Sequence, residues 1–97
     1  MNASVSITLR AQNHIDAIDS EISALSPQRA DEFLRVLNEK IEQLAAFPES
    51  GVMHRGYIRR LLLLRFPYSL FYVFDAEQNS VTIIAVFSDR SDPRTWH

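Results

Sequence analysis

Three apolar, strand-like runs crowd the stretch from Arg55 to Asp92, and they limit what the rest of the chain can be. They are Tyr57-Ile58-Arg59-Arg60-Leu61-Leu62-Leu63-Leu64, Tyr68-Ser69-Leu70-Phe71-Tyr72-Val73-Phe74 and Val81-Thr82-Ile83-Ile84-Ala85-Val86-Phe87. Each is rich in Leu, Val, Ile, Phe or Tyr and is bounded by turn-forming residues, the composition of a sheet. Phe66-Pro67-Tyr68 separates the first two tightly, and Ala76–Ser80 turns the second into the third. Along Tyr68–Phe74 only Ser69 is neither apolar nor aromatic, as expected of a central strand covered on both faces. Between Glu49 and Asp75 there is no acidic residue, but there are four arginines: Arg55, Arg59, Arg60 and Arg65. The chain must therefore build an apolar sheet that carries an unbalanced cationic row.

What precedes the sheet changes period twice. Ser4-Val5-Ser6-Ile7-Thr8-Leu9 alternates polar and apolar, which reads as a short half-buried strand. Ala11, Ile15, Ile18, Ile22 and Leu25 then recur at spacings of four and three, predicting a helix from about Ala11 to Leu25 with His14 on its solvated side. Ser26-Pro27 marks a boundary, since Ser caps helices and Pro suits the first helical position. A second helix is expected from Pro27 to about Phe47, with Ala30, Phe33, Leu34, Leu37, Ile41, Leu44 and Ala45 on its apolar face. Pro48-Glu49-Ser50-Gly51 ends it, and a loop to about Gly56 leads into the sheet. The order β-α-α-β-β-β gives an α+β fold: a helical hairpin packed on one face of a mainly antiparallel sheet. The other face is left to the C-terminal tail, to a partner, or partly to solvent. Asp92-Pro93 is expected to turn the tail so that Trp96 closes the sheet's open end.

The bulk numbers narrow the function classes. Ninety-seven residues, 46% hydrophobic and 23% charged, suit one globular domain spanning 1–97. A net charge of −2 argues against non-specific nucleic-acid binding, which relies on excess cations to release counterions. The absence of cysteine excludes disulfides, thiolate metal sites and a cysteine nucleophile. No two histidines share metal-ligand spacing and no glycine-rich phosphate loop occurs, so neither a metal nor a cofactor is expected. No apolar run approaches the ~18 residues of a membrane span, and the N-terminus lacks the pattern of a secretory signal. The expectation is a cytoplasmic chain with no membrane association.

Taken together, the strand, the helix pair, Phe47-Pro48-x-x-Gly51, Ile58-Arg59-x-Leu61, Phe66-Pro67-Tyr68-x-Leu70-Phe71-Tyr72 and the closing Arg90-x-Asp92-Pro93-x-x-Trp96 resemble the ParE/RelE superfamily of toxins, and the ParE-like branch more than the other. The resemblance runs from Ile7 to Trp96. It implies a toxin–antitoxin (plasmid stabilisation) module whose antitoxin, encoded in the same operon, wraps an extended or helical segment around the toxin. Characterised ParE members inhibit DNA gyrase by binding it. RelE-like members cleave messenger RNA on the ribosome.

The candidate site follows from that choice. Arg59 matches the arginine of the family's Ile-Arg motif, where a guanidinium can grip a phosphate or carboxylate with two parallel hydrogen bonds. Arg55, Arg59, Arg60, Arg65, Arg90, Arg94 and Trp96 form the expected antitoxin- or target-binding set. In many relatives a histidine stands at the position of Ser88 and an arginine at that of Ser91. RNA cleavage needs a base, an acid and cations around the phosphorane, which the two serines do not supply. A nuclease would have to draw on Arg59, Arg90 and His54. The sequence therefore favours a protein-binding toxin over an endoribonuclease; a third alternative is a member that binds antitoxin without toxicity.

Overall fold

In the computed structural model, which describes residues 2–90, the chain runs β1 (Ser4–Ile7), α1 (Leu9–Leu25), α2 (Pro27–Ala46), β2 (Val52–Arg55), β3 (Ile58–Leu62), β4 (Tyr68–Asp75) and β5 (Ser80–Ser88). The helix boundaries have local causes. Thr8 caps α1 by accepting from the Ala11 N–H at 3.1 Å, so the helix begins two residues before its apolar stripe. Ser26 ends α1 and caps α2, its hydroxyl accepting from the Arg29 N–H at 3.3 Å with Pro27 in the first turn.

The sheet order is β1-β5-β4-β3-β2, with β1 parallel to β5 and every other pair antiparallel. The two strands of the parallel pair are joined through the helical hairpin and the β2–β3–β4 meander, because parallel neighbours cannot be linked by a tight turn. One face of the sheet meets both helices. There Leu61, Leu70, Tyr72, Val81, Ile83 and Val86 pack against Ala11, Ile15, Ile18, Phe33, Val36, Leu37 and Leu44. Phe33, Leu44, Leu70 and Ile83 are completely buried. Leu37→Ala should cost about 2–5 kcal/mol, as for other buried leucines. A shift under ~0.5 kcal/mol in urea unfolding would show that Leu37 does not face the sheet.

Two expectations change. The segment expected to be loop contains β2, a four-residue edge strand exposed along its whole length. It carries no apolar alternation; pairing with β3 makes it a strand, and the turn is supplied by Gly56 at φ 57. Leu25 and Leu34, placed on the helix stripes, are 90% and 41% exposed, and Val36 is buried instead. Leu25 sits in the last turn of α1, beyond the core. Trp96 and the Asp92-Pro93 turn lie outside the described residues.

Candidate functional site

Arg59 and Tyr72 face each other across β3 and β4, and both reach the loop that joins α2 to β2. The Tyr72 hydroxyl donates to the Pro48 carbonyl and accepts from the Gly51 N–H, each at 2.9 Å. Arg59 donates to the carbonyls of Gly51 (2.9 Å) and Glu49 (3.2 Å), with the Glu49 carboxylate 3.5 Å away. Burial raises the Tyr72 pKa above its ordinary value, against the opposing pull of the Gly51 N–H and Arg59. The phenol therefore stays a neutral donor. The Phe47-Pro48-x-x-Gly51 motif is a loop that these two side chains hold in place, leaving Phe47 66% exposed.

The opposite face has a different chemistry. Arg60 pairs with Phe71 in register, so it points away from the helices. Its Nε donates to Ser69 Oγ at 3.1 Å and its guanidinium to Asp89 Oδ1 at 2.9 Å, while Ser69 Oγ also donates to Asp89. Ser69 is completely buried, and this closed triangle satisfies its hydroxyl. Beside it four rings cross the sheet: His14 on Phe87 (4.9 Å), Phe87 on Phe71 (5.7 Å) and Phe71 on His54 (5.0 Å).

His14 is not the solvated residue its helical position suggested. Strand β1 ends at Ile7, opposite Ile83, and among the described residues no strand pairs with the outer edge of β5 beyond that point. His14 Nδ1 fills part of the gap by accepting from the Val86 N–H at 3.2 Å. Burial, and secondarily Arg10, lowers the ring's pKa from 6.5, and a protonated Nδ1 cannot accept. The unfolded chain takes up this proton near 6.5 while the folded one resists it. The contribution is thus fully present above 6.5 and is lost as pH falls through that value toward the lower folded pKa. Urea midpoints at about pH 7.5 and 5.5 test this, and His14→Gln, which keeps an acceptor but does not titrate, should flatten the difference.

The arginine row is thus divided. Arg59 serves the loop on the helix side, and Arg60 serves the Ser69–Asp89 triangle on the other. Arg65 pairs with Glu32 of α2 at 3.4 Å. Arg55, on edge strand β2, and Arg90, just past β5, are exposed. Arg94 falls outside the described residues, as Trp96 does. His54 packs on Phe71 and so lies on the face opposite Arg59; the structure does not bring these two together. Sequence reasoning passed over Ser69 and Asp89 as functional groups. The one polar residue in an apolar strand was the available signal for Ser69. Among the described residues, no group of three His, Asp or Glu side chains is placed to hold a metal ion, and no helix is long and apolar enough to cross a membrane.

Known proteins share this architecture. A chain of the chromosomal ParDE toxin–antitoxin system from P. aeruginosa superposes with a TM-score of 0.76 at 21% identity, covering 89% of this chain and 95% of that one. The RelBE2 toxin–antitoxin complex of Mycobacterium tuberculosis gives 0.64 at 21% identity, covering 95% of each chain. The isolated E. coli RelE toxin gives 0.62 at 16% identity, covering 95% of this chain and 89% of that one. No curated protein sequence matches the chain. The family described as ParE toxin of type II toxin–antitoxin system, parDE, matches residues 5–93. With nearly its whole length accounted for by that match, the chain belongs to the ParE toxin family.

Proposed function

We propose that this toxin acts by binding a protein target, DNA gyrase as in characterised ParE members, and that a cognate antitoxin from the same operon neutralises it. The observation that carries the reading is how the two central arginines are used. Arg59 and Arg60 hold a loop and the end of a strand, and His54, the proton carrier a nuclease would call on, stands across the sheet from Arg59. What the molecule offers to partners is exposed apolar and cationic surface. Val52, Met53 and Tyr57 are 64%, 54% and 89% exposed around Arg55 on the β2–β3 hairpin. Apolar groups of this kind at an edge strand mark protein contacts, and an antitoxin segment acidic near Arg55 or Arg90 would dock in register and quickly.

Two measurements test the reading. Co-expression with the adjacent open reading frame, followed by size exclusion, should yield a stable complex; separate elution would count against the antitoxin. Expression of the toxin alone should block gyrase supercoiling and leave messenger RNA ends on ribosomes unchanged. Codon-positioned cuts that vanish in Arg59→Ala or His54→Ala would replace the binding reading with a RelE-like endoribonuclease. A complex with antitoxin but neither effect would indicate a member without toxicity.

A further inference from the structure

The α1–α2 turn and the β3–β4 turn meet over a groove of about 190 Å³ lined by Ile22, Leu25, Arg29, Phe66, Pro67 and Tyr68. Its floor is set by the core: Phe66 is 4% exposed, and its ring meets Phe33 edge-on at 5.6 Å. The surroundings are unusually apolar for open surface. Leu25 is 90% exposed at one end. Leu64, two residues before Phe66, is 78% exposed and has φ 70, a backbone region that a leucine rarely adopts. That conformation is held by the Leu63 N–H donating to the Tyr68 carbonyl (3.0 Å) and the Arg65 N–H to the Leu63 carbonyl (2.8 Å). Strain of this kind persists where the surroundings over-determine it, and it turns an apolar side chain outward.

The rim has a definite sign. Arg29 lies over the Phe66 ring at 4.8 Å and shares the single carboxylate of Glu32 with Arg65, at 3.9 and 3.4 Å. Two guanidiniums on one carboxylate leave a net positive charge, on a molecule whose total is −2. Arg29 also stands in the first turn of α2, which has no acidic residue, so the positive end of the helix dipole adds to the same potential. A second copy of the chain, packed symmetrically, would set one cationic rim against another. An acidic partner would not.

We infer that this groove receives an acidic amphipathic segment of a protein partner, with an apolar side chain seated between Leu25 and Phe66 and a carboxylate drawn to Arg29 or Arg65. The inference rests on the antitoxin reading, since it takes the antitoxin as the partner. With its guanidinium face on Phe66 and Glu32 shared with Arg65, Arg29 has donor capacity that a second carboxylate would take up better than another aromatic. Cationic attraction at the rim speeds encounter, and the apolar seat slows release.

The experiment uses the toxin and the antitoxin encoded beside it. A photo-crosslinking residue at position 25 should attach to an acidic, apolar segment of the antitoxin, identified by mass spectrometry. Leu25→Glu and Arg29→Glu should each weaken the complex about 10- to 100-fold, and Arg29→Glu should also reduce the dependence of affinity on salt. Because Leu25 is 90% exposed, its replacement leaves the fold intact, which circular dichroism of the free toxin checks. A complex of normal affinity in both variants, within about twofold, would overturn the groove while leaving the antitoxin reading in place. Crosslinking to a second toxin chain would overturn it as well. Failure of the wild-type pair to associate would remove both.

Discussion

Gly51→Ala should cost this toxin about 3 kcal/mol or more, a large share of the ~5–15 kcal/mol that holds a small domain together. A Cβ at this position would stand 2.7 Å from the Tyr72 hydroxyl oxygen, 2.8 Å from Tyr72 Cε1 and 2.8 Å from the Arg60 carbonyl oxygen. None of these can step aside. The Arg60 oxygen is backbone within the sheet, and the Tyr72 hydroxyl is tied to Pro48 and Gly51 on a fully buried ring. Tyr72→Ala attacks the same junction from the other side. It should lose about 3–5 kcal/mol through the cavity alone and strand the Gly51 N–H and the Pro48 carbonyl besides. Tyr72→Phe isolates the second effect, at about 1–3 kcal/mol. Because glycine and hydroxyl share one site, the Gly51→Ala/Tyr72→Phe double variant should be less damaged than the sum of its parts. Urea unfolding of the four proteins decides the matter: additive losses would mean the loop is not held by this contact.

Asp89→Ala is expected to cost about 1.5–3 kcal/mol, the range for hydrogen bonds to charged groups. The substitution removes the acceptor for Arg60 and Ser69 together. The Arg60 and Asp89 side chains are 32% and 24% exposed, so the pair is shielded better than a surface bridge, and its contribution should survive moderate salt. The buried Ser69 hydroxyl then has no carboxylate to donate to, while Arg60 keeps its charge beside an apolar face. Ser69→Ala should do less harm than Asp89→Ala, because it leaves the 2.9 Å Arg60–Asp89 pair standing. Hydrogen exchange at the Asp89 amide, which donates to the Pro67 carbonyl at 2.8 Å, reports the same anchoring locally. Equal protection of that amide in wild type and Asp89→Ala would show that the triangle does not secure the end of β5.

Much of the fold was legible in the residues because burial leaves a period. The stripes of Ile15 and Ile18, and of Phe33, Leu37 and Leu44, specify two helices facing one core. Ser26-Pro27 specifies where the chain turns between them, and the long apolar runs specify β3, β4 and β5. The order of those elements, with the Phe47-Pro48-x-x-Gly51 and Phe66-Pro67-Tyr68 motifs, was enough to point to the toxin family. The site was legible only as a set of arginines. Their roles depend on partners remote in sequence: Glu49 and Gly51 carbonyls for Arg59, Asp89 for Arg60, Glu32 for Arg65. A guanidinium's partner leaves no mark on the spacing around it. The same holds for β2, whose exposed residues follow no alternation and become a strand only because β3 offers its edge. It holds for His14, which looks solvated on a helical wheel and is half-buried against β5, where β1 ends early and the Val86 N–H finds its acceptor in the imidazole. Sequence by itself determined what must leave water and in which elements. Tertiary structure decided which polar groups those elements brought within hydrogen-bonding distance, because that depends on strand order and register, which no local pattern encodes.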